Sequence, residues 1–285
     1  DFTDDMAEVC PNAYFLNYTN PMAQLAGYLG RYTPIKSVGL CHSVQGCSRN
    51  LLKDLGIEYK EPLRESIAGI NHMGWLLELE DADGNDLYPE IRKRAIAILE
   101  SGKTDHHDLV RYEYIRRLGY YCTESSEHNA EYNNFFIKAK YPELIERYNI
   151  PLDEYPRRCI NQIENWKKDR EKYMHDDVTH TRTTEYASYI MEAIVTDIPY
   201  KIGGNVINNG LIPNLPAEAC VEVACLVNKN GIQPCAQKPL PLQLAAMNSA
   251  MIGVQLLTIE AAVTQKKETI YQAAMLDPHT SSELS

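Results

Sequence analysis

Two short apolar segments, each ending in a residue with a metal-binding side chain, constrain this chain more than any other feature. Ile35-Lys36-Ser37-Val38-Gly39-Leu40 leads into Cys41-His42-Ser43-Val44, and Ile67-Ala68-Gly69-Ile70 leads into Asn71-His72. Runs of this length and composition read as buried strands, so Cys41 and His72 are expected at strand ends, where open α/β sheets collect their active sites. A thiolate and an imidazole from separate loops form a two-ligand transition-metal site with positions left open for substrate. The alternatives at each position are a Cys acting as a small buried hydrophobe and a His held by an ordinary hydrogen bond.

The surrounding pattern predicts an α/β fold. Asn12 to Tyr18 reads as a strand, Met22 to Leu29 as a helix that Pro21 opens, Ile35 to Leu40 as a strand and Val44 to Leu55 as a helix. This strand–helix–strand–helix order is the mark of a parallel sheet. Further strands are expected within Tyr59 to Glu80, with a turn-rich hairpin tip at Asp81-Ala82-Asp83-Gly84-Asn85. Helices follow at Pro89 to Ser101, His106 to Gly119 and Pro151 to Asp176, then strands near Gly203 to Gly210 and Cys220 to Val227, then helices over Leu240 to Gln265 and Glu268 to Leu276. The first residues read as the last turns of a helix, and Ser281 to Ser285 as the approach to another. The expectation is therefore a chain cut at both ends.

Composition excludes several partners. With 28 basic and 39 acidic residues the formal charge is -11, and no Lys/Arg cluster interrupts it, which disfavours nucleic acid and anionic membrane surfaces. The apolar stretches are read as interrupted by polar residues and short of the roughly 18 to 20 residues that span a bilayer. The 8 cysteines form no C-x-x-C pair and no regular framework, and read as reduced thiols of a cytoplasmic protein.

Common motifs for dinucleotides, nucleophilic serines, zinc proteases and nucleotide phosphates are absent. Two local clusters remain. Ser125-Ser126-Glu127-His128-Asn129-Ala130-Glu131-Tyr132 concentrates hydroxyls, carboxylates, an imidazole and a phenol, or else is a polar helix start capped by Ser and Glu. Asn205, Asn208, Asn209 and Asn214 offer amides to a hydroxyl-rich ligand, or else stabilise turns.

Asn20-Pro21-Met22, Cys41-His42-Ser43-Val44, Gly69-Ile70-Asn71-His72-Met73, Glu124-Ser125-Ser126-Glu127-His128, Gly204-Asn205-Val206 and Leu215-Pro216 stand in the order and approximate spacing of glycoside hydrolase family 4. The chain resembles that family over essentially its whole length, and most of all its α-galactosidases. The resemblance implies a lactate/malate-dehydrogenase-like Rossmann domain, whose C-terminal remainder is residues 1–60, followed by an α+β substrate- and metal-binding domain over 61–285. It implies NAD⁺ and a divalent metal, usually Mn²⁺. Hydrolysis then proceeds by oxidation at sugar carbon 3, loss of the carbon-2 proton, departure of the aglycone, addition of water and return of the hydride. The family is an exception to the two-carboxylate rule of glycosidases.

On this resemblance Cys41 and His72 bind the metal and Tyr132 is the base at carbon 2, with Tyr120 and Tyr121 as second choices. His42 transfers a proton or contacts the sugar. Asn20 binds sugar hydroxyls beside the nicotinamide, and Asn71, Arg182 and Asn205 are further substrate contacts. The substrate is expected to be a small α-galactoside, with α-galacturonides and α-glucosides as alternatives, and the protein a homodimer or homotetramer. The family's Gly-rich phosphate-binding turn lies in a first β-α unit that these residues lack, so the 285 residues by themselves are expected not to catalyse. A 2-hydroxyacid dehydrogenase of the same superfamily, or a non-catalytic sugar-binding or oligomerisation fragment, are the competing readings.

Overall fold

The computed structural model describes residues 2–176, 179 and 181–280, so the helix approach read at Ser281 to Ser285 lies outside the described residues. Helix α1 (Phe2–Val9) precedes β1 (Tyr14–Asn17), α2 (Met22–Tyr32) and β2 (Lys36–Gly39). The two strands pair in parallel, Leu16 opposite Val38, and α2 buries Met22, Ala23, Ala26 and Leu29. Pro21, with its fixed φ near that of a helix, serves as the N-cap of α2. The helix expected at 44–55 is divided at Gly46, which caps both α3 (His42–Gln45) and α4 (Cys47–Asp54).

Next come β3 (Arg64–Ile70) and β4 (Met73–Glu80), an antiparallel hairpin in which Ile70 faces Met73, so Asn71 and His72 form its two-residue turn. The turn at Asp81 to Asn85 closes through Asp81 N–H to the Asn85 carbonyl at 3.1 Å, beside a bridge between Glu80 and Asp86. Helices α5 (Tyr88–Glu100) and α6 (Leu109–Leu118) follow, then β5 (Tyr121–Cys122), α7 (Ser126–Glu131), α8 (Glu143–Arg147), α9 (Glu154–His175) and α10 (Tyr186–Thr196). Strands β6 (Tyr200–Ile207), β7 (Cys220–Asn228) and β8 (Gly231–Pro234) precede the final helices α11 (Leu242–Thr264) and α12 (Lys267–Leu276).

All eight strands belong to one sheet, in the order β1-β2-β6-β7-β3-β4-β5 with β8 paired to β7. Among the described residues only β1 and β2 are parallel; every other pairing is antiparallel. The parallel pairing expected from the first β-α units is present in β1 and β2, and the antiparallel strands that follow make the whole sheet a mixed one. Hairpins join β3 to β4 and β7 to β8, and β4 reaches β5 through α5 and α6, so the chain returns antiparallel at each of these pairs. The sheet is continuous across residue 60, because β6 pairs with β2 at Asn205 and Gly39.

Helix α11 corrects a second reading, since by length and composition it is apolar enough to cross a bilayer. Here it packs as a core helix: Leu244, Asn248, Ile252 and Gln255 are buried, Trp75 Nε1 donates to Asn248 Oδ1 at 3.0 Å, and Asn248 Nδ2 donates to the Met73 carbonyl at 2.9 Å. Helix α9 is the opposite case. None of its 22 residues is buried, and Trp166 on it is 59% exposed.

Candidate active site

Cys41 follows directly from β2 as the N-cap of α3, and its carbonyl accepts a hydrogen bond from the Tyr186 hydroxyl at 2.7 Å. That anchor from α10 fixes the backbone while Sγ turns toward Ser43 Oγ, 3.1 Å away. His72 stands at the β3–β4 turn with φ 62. Strand β5 is tied to β4 by Thr123 N–H to the Gly74 carbonyl at 2.7 Å and by Gly74 N–H to Thr123 Oγ1 at 3.1 Å. The next residue, Glu124, also has a positive φ, 69. These three chain segments bring ligand atoms of Cys41, His72 and Glu124 within 4.8 Å of one another. Glu124 Oε2 lies 4.0 Å from Cys41 Sγ and 3.4 Å from His72 Nε2. Two of the three donors thus occupy left-handed backbone that non-glycine residues seldom adopt, a kind of strain that concentrates at functional sites.

Around the cluster stand two more sequence candidates. The His128 ring stacks on His72 at 5.1 Å, and its Nδ1 meets Glu131 Oε2 at 2.9 Å. Ser125 caps α7 by accepting from His128 N–H at 3.3 Å, so the capped-helix reading of this segment holds together with its nearness to the site. Tyr132, at the end of the same helix, has its ring 6.2 Å from that of His72. Burial pushes the Cys41 thiol up to about 11, and Glu222 adds to the effect. Burial also lowers the His72 pKa, against the pull of Glu124, and keeps its imidazole neutral and able to act as a ligand. The Tyr132 phenol is raised by burial and then by Glu124 and Cys41.

The donor set fits a divalent metal: soft sulfur, imidazole nitrogen and carboxylate oxygen together suit borderline ions, and a nearby cation is what would hold the Cys41 thiol deprotonated. The residues do not extend the same fit to a dinucleotide. Among the described residues neither the β1–α2 turn nor the β2–α3 turn is Gly-rich, so neither offers a pyrophosphate cradle.

Behind the cluster, on β7, Glu222 is 1% exposed. Its Oε1 accepts from Asn205 Nδ2 at 2.9 Å, while Oε2 has no hydrogen-bond partner. Asn71 Nδ2 is also unpartnered, yet faces the carboxylate closely enough to lower its proton affinity. Burial dominates and lifts the Glu222 pKa to about 8, with Glu124 adding to it. A carboxyl raised in the folded state binds more protons there than in the unfolded chain, so its contribution to stability is fully present at low pH and lost as pH rises toward 8. The melting temperature of the metal-free protein should therefore fall between pH 5 and 8.5 by roughly 10 °C more than that of Glu222→Gln, whose amide mimics the protonated acid. Parallel melting curves for the two proteins across this range would refute the assignment.

The other sequence candidates are placed as follows. Asn20 is exposed at the C-terminal end of β1, with Oδ1 accepting from Met22 N–H at 3.1 Å. His42 turns away from the donor cluster: its ring stacks on Tyr18 at 5.3 Å, and its Nε2 lies 2.6 Å from Glu185 Oε1. Asn71 and Asn205 are buried beside Glu222, which makes them supports of the carboxylate rather than surfaces open to a sugar. Arg182 is engaged by Glu192 at 2.6 Å and lies over the Tyr189 ring at 3.6 Å. The second-choice tyrosines are corrected. The Tyr121 hydroxyl donates to buried Asp108 Oδ2 at 2.7 Å inside a separate core cluster, and Tyr120 packs edge-on to Tyr88. Asn208 and Asn214 serve their own loops, donating to the Ile212, Leu215 and Pro216 carbonyls and to the Leu240 carbonyl respectively. A cavity of about 500 Å³ is lined by Val44, Gln45, Tyr186 and Glu222 among others, but by neither Cys41 nor His72.

Sequence reasoning quoted Glu124 within a motif without giving it a role, and overlooked Glu222. The signal for the latter was present, because Glu222 is the single charged residue in the apolar run Cys220 to Val227.

Comparison with known proteins gives the family. Residues 1–57 match the model of the family 4 glycosyl hydrolases, and residues 67–280 match that of the family 4 glycosyl hydrolase C-terminal domain. An α-galactosidase of Bacillus subtilis is 59% identical over the whole of this chain, which spans 65% of that relative's length. An α-galactosidase of Rhizobium meliloti is 31% identical over 98% of the chain and 58% of its own length. Among solved structures, a 6-phospho-α-glucosidase from gut microorganisms in complex with NAD and Mn²⁺ has the same fold, with a TM-score of 0.71 at 21% identity, covering 98% of this chain and 66% of that one. A 6-phospho-β-glucosidase of Thermotoga maritima, holding manganese, NAD⁺ and glucose-6-phosphate, gives a TM-score of 0.70 at 17% identity over 97% of this chain and 63% of its own. With the two family models together matching most of its length, the chain belongs to the family 4 glycosyl hydrolases.

Proposed function

We propose that the protein is an α-galactosidase that breaks its bond by oxidation at carbon 3, elimination and addition of water, with NAD⁺ and a divalent metal, manganese by preference, as cofactors. The observation that carries this reading is the Cys41–His72–Glu124 donor cluster with Tyr132 beside it. The galactoside preference leans on the 59% identity to the Bacillus subtilis α-galactosidase.

When bound, the metal supplies Lewis acidity for negative charge developing on the sugar oxygens, and NAD⁺ supplies a reversible hydride acceptor. Cys41 and His72 hold the metal. Tyr132 removes the carbon-2 proton at its phenol oxygen. Burial, reinforced by Glu124 and Cys41, holds that phenol protonated until a cation offsets it. His42, with its imidazole exposed near the same strand end, handles a proton or a sugar hydroxyl, and Asn20 contacts the sugar from the end of β1. No hydride step is assigned to the described residues, since they hold no pyrophosphate cradle. The eight free thiols suit a reducing cytoplasm, and a homo-oligomer completes the reading.

The test is release of nitrophenol from nitrophenyl α-galactoside by the full-length protein with Mn²⁺ and thiol, comparing added NAD⁺ with cofactor-stripped protein. Release that requires both NAD⁺ and Mn²⁺ is expected. Release indifferent to NAD⁺ would sink the redox route, and no release beside turnover of a galacturonide or glucoside would overturn the galactoside preference.

A further inference from the structure

The two-ligand site expected from Cys41 and His72 has a third group in it. We propose that Glu124 is a direct third protein ligand of the metal, so the ion is held by sulfur, nitrogen and carboxylate oxygen from three different loops; this rests on the metal-dependent reading above.

Donors that share one ion at about 2.1–2.4 Å each lie roughly 3.0–4.5 Å apart. Glu124 Oε2 meets that spacing to both partners, at 3.4 Å from His72 Nε2 and 4.0 Å from Cys41 Sγ. Three further observations favour ligation over an incidental contact. Among the described residues no Lys or Arg reaches the Glu124 carboxylate, although its side chain is only 23% exposed. Glu124 and His72 both hold positive φ, at 69 and 62, so two of the three donors stand on left-handed backbone. The hydrogen bonds joining Thr123 to Gly74 fix the chain immediately before Glu124 to the strand that follows His72. A thiolate, a neutral imidazole and a carboxylate together carry two negative charges, which offset a divalent ion and leave a centre suited to an uncharged sugar.

The test measures Mn²⁺ affinity by the electron paramagnetic resonance of the free ion, without substrate or NAD⁺, in the full-length protein and in Glu124→Gln and Glu124→Asp. The visible spectrum of Co²⁺ is then recorded in each, with circular dichroism as a control for folding. Ligation predicts that Glu124→Gln weakens Mn²⁺ binding at least about tenfold. The cobalt ligand-field bands shift in both variants, while the thiolate-to-cobalt band persists. Glu124→Asp is the decisive arm because it keeps the charge and loses one methylene of reach. If it binds Mn²⁺ like wild type with an unshifted cobalt spectrum, Glu124 acts only through its field and the proposal fails. Unchanged Mn²⁺ affinity in Glu124→Gln overturns it equally. A wild-type protein that takes up neither ion would overturn the metal reading itself, and this assignment with it.

Discussion

Replacing Cys41 by Ser will remove metal and activity together while leaving the fold in place. A serine hydroxyl is nearly isosteric with the thiol, but it does not ionise near neutral pH and is a poor partner for a borderline metal. Loss of an outer-shell partner alone costs a metal site about 10- to 100-fold, so loss of a ligand should exceed the upper figure in Mn²⁺ affinity. Folding is insulated from the change, because the backbone at this position is held by the Tyr186 hydroxyl on the Cys41 carbonyl. The checks are metal content after dialysis, turnover with saturating NAD⁺, and thermal denaturation. A Cys41→Ser protein that keeps its manganese and its turnover would refute the assignment of the site.

The second large effect belongs to Tyr132. Its phenol lies beside His72, and Phe preserves the ring and its packing while removing the only atom that can accept a proton. General-base contributions run at about 10²–10⁴ in rate, so Tyr132→Phe should lose that much in kcat with KM little changed. Exchange of the carbon-2 proton with deuterated water should fall in the same proportion. If exchange persists at the wild-type rate while turnover drops, the phenol serves another step.

What could be read in advance, and what could not, divides along the range of the interactions involved. The strands before Cys41 and His72 were visible because each is a short apolar run closed by polar residues, and the charged helix over Glu154–His175 because its pattern is local. The order of the strands was not legible because local pattern says nothing about it: β6 inserts between β2 and β7 although everything from α3 to α10 separates it from β2 along the chain. The same limit governed the site. Asn205 looked like an amide offered to a sugar until β6 paired with β7 and set it opposite Glu222 in the sheet interior. Arg182 was a reasonable contact by type, yet it stands just before α10, and Tyr189 and Glu192 on that helix claim its guanidinium. Glu124 comes beside His72 only when the hairpin carrying His72 meets β5.

The chain has 2 tryptophans, and they sit at the two extremes of its architecture. Trp75 is sealed in the sheet with its indole N–H on Asn248, whereas Trp166 stands in solvent on a helix that buries nothing. Their emissions are consequently separable: a blue component that acrylamide cannot reach, and a red one that it quenches freely. The protein therefore carries its own pair of optical reporters, one for the integrity of the core and one for anything that comes to rest on α9.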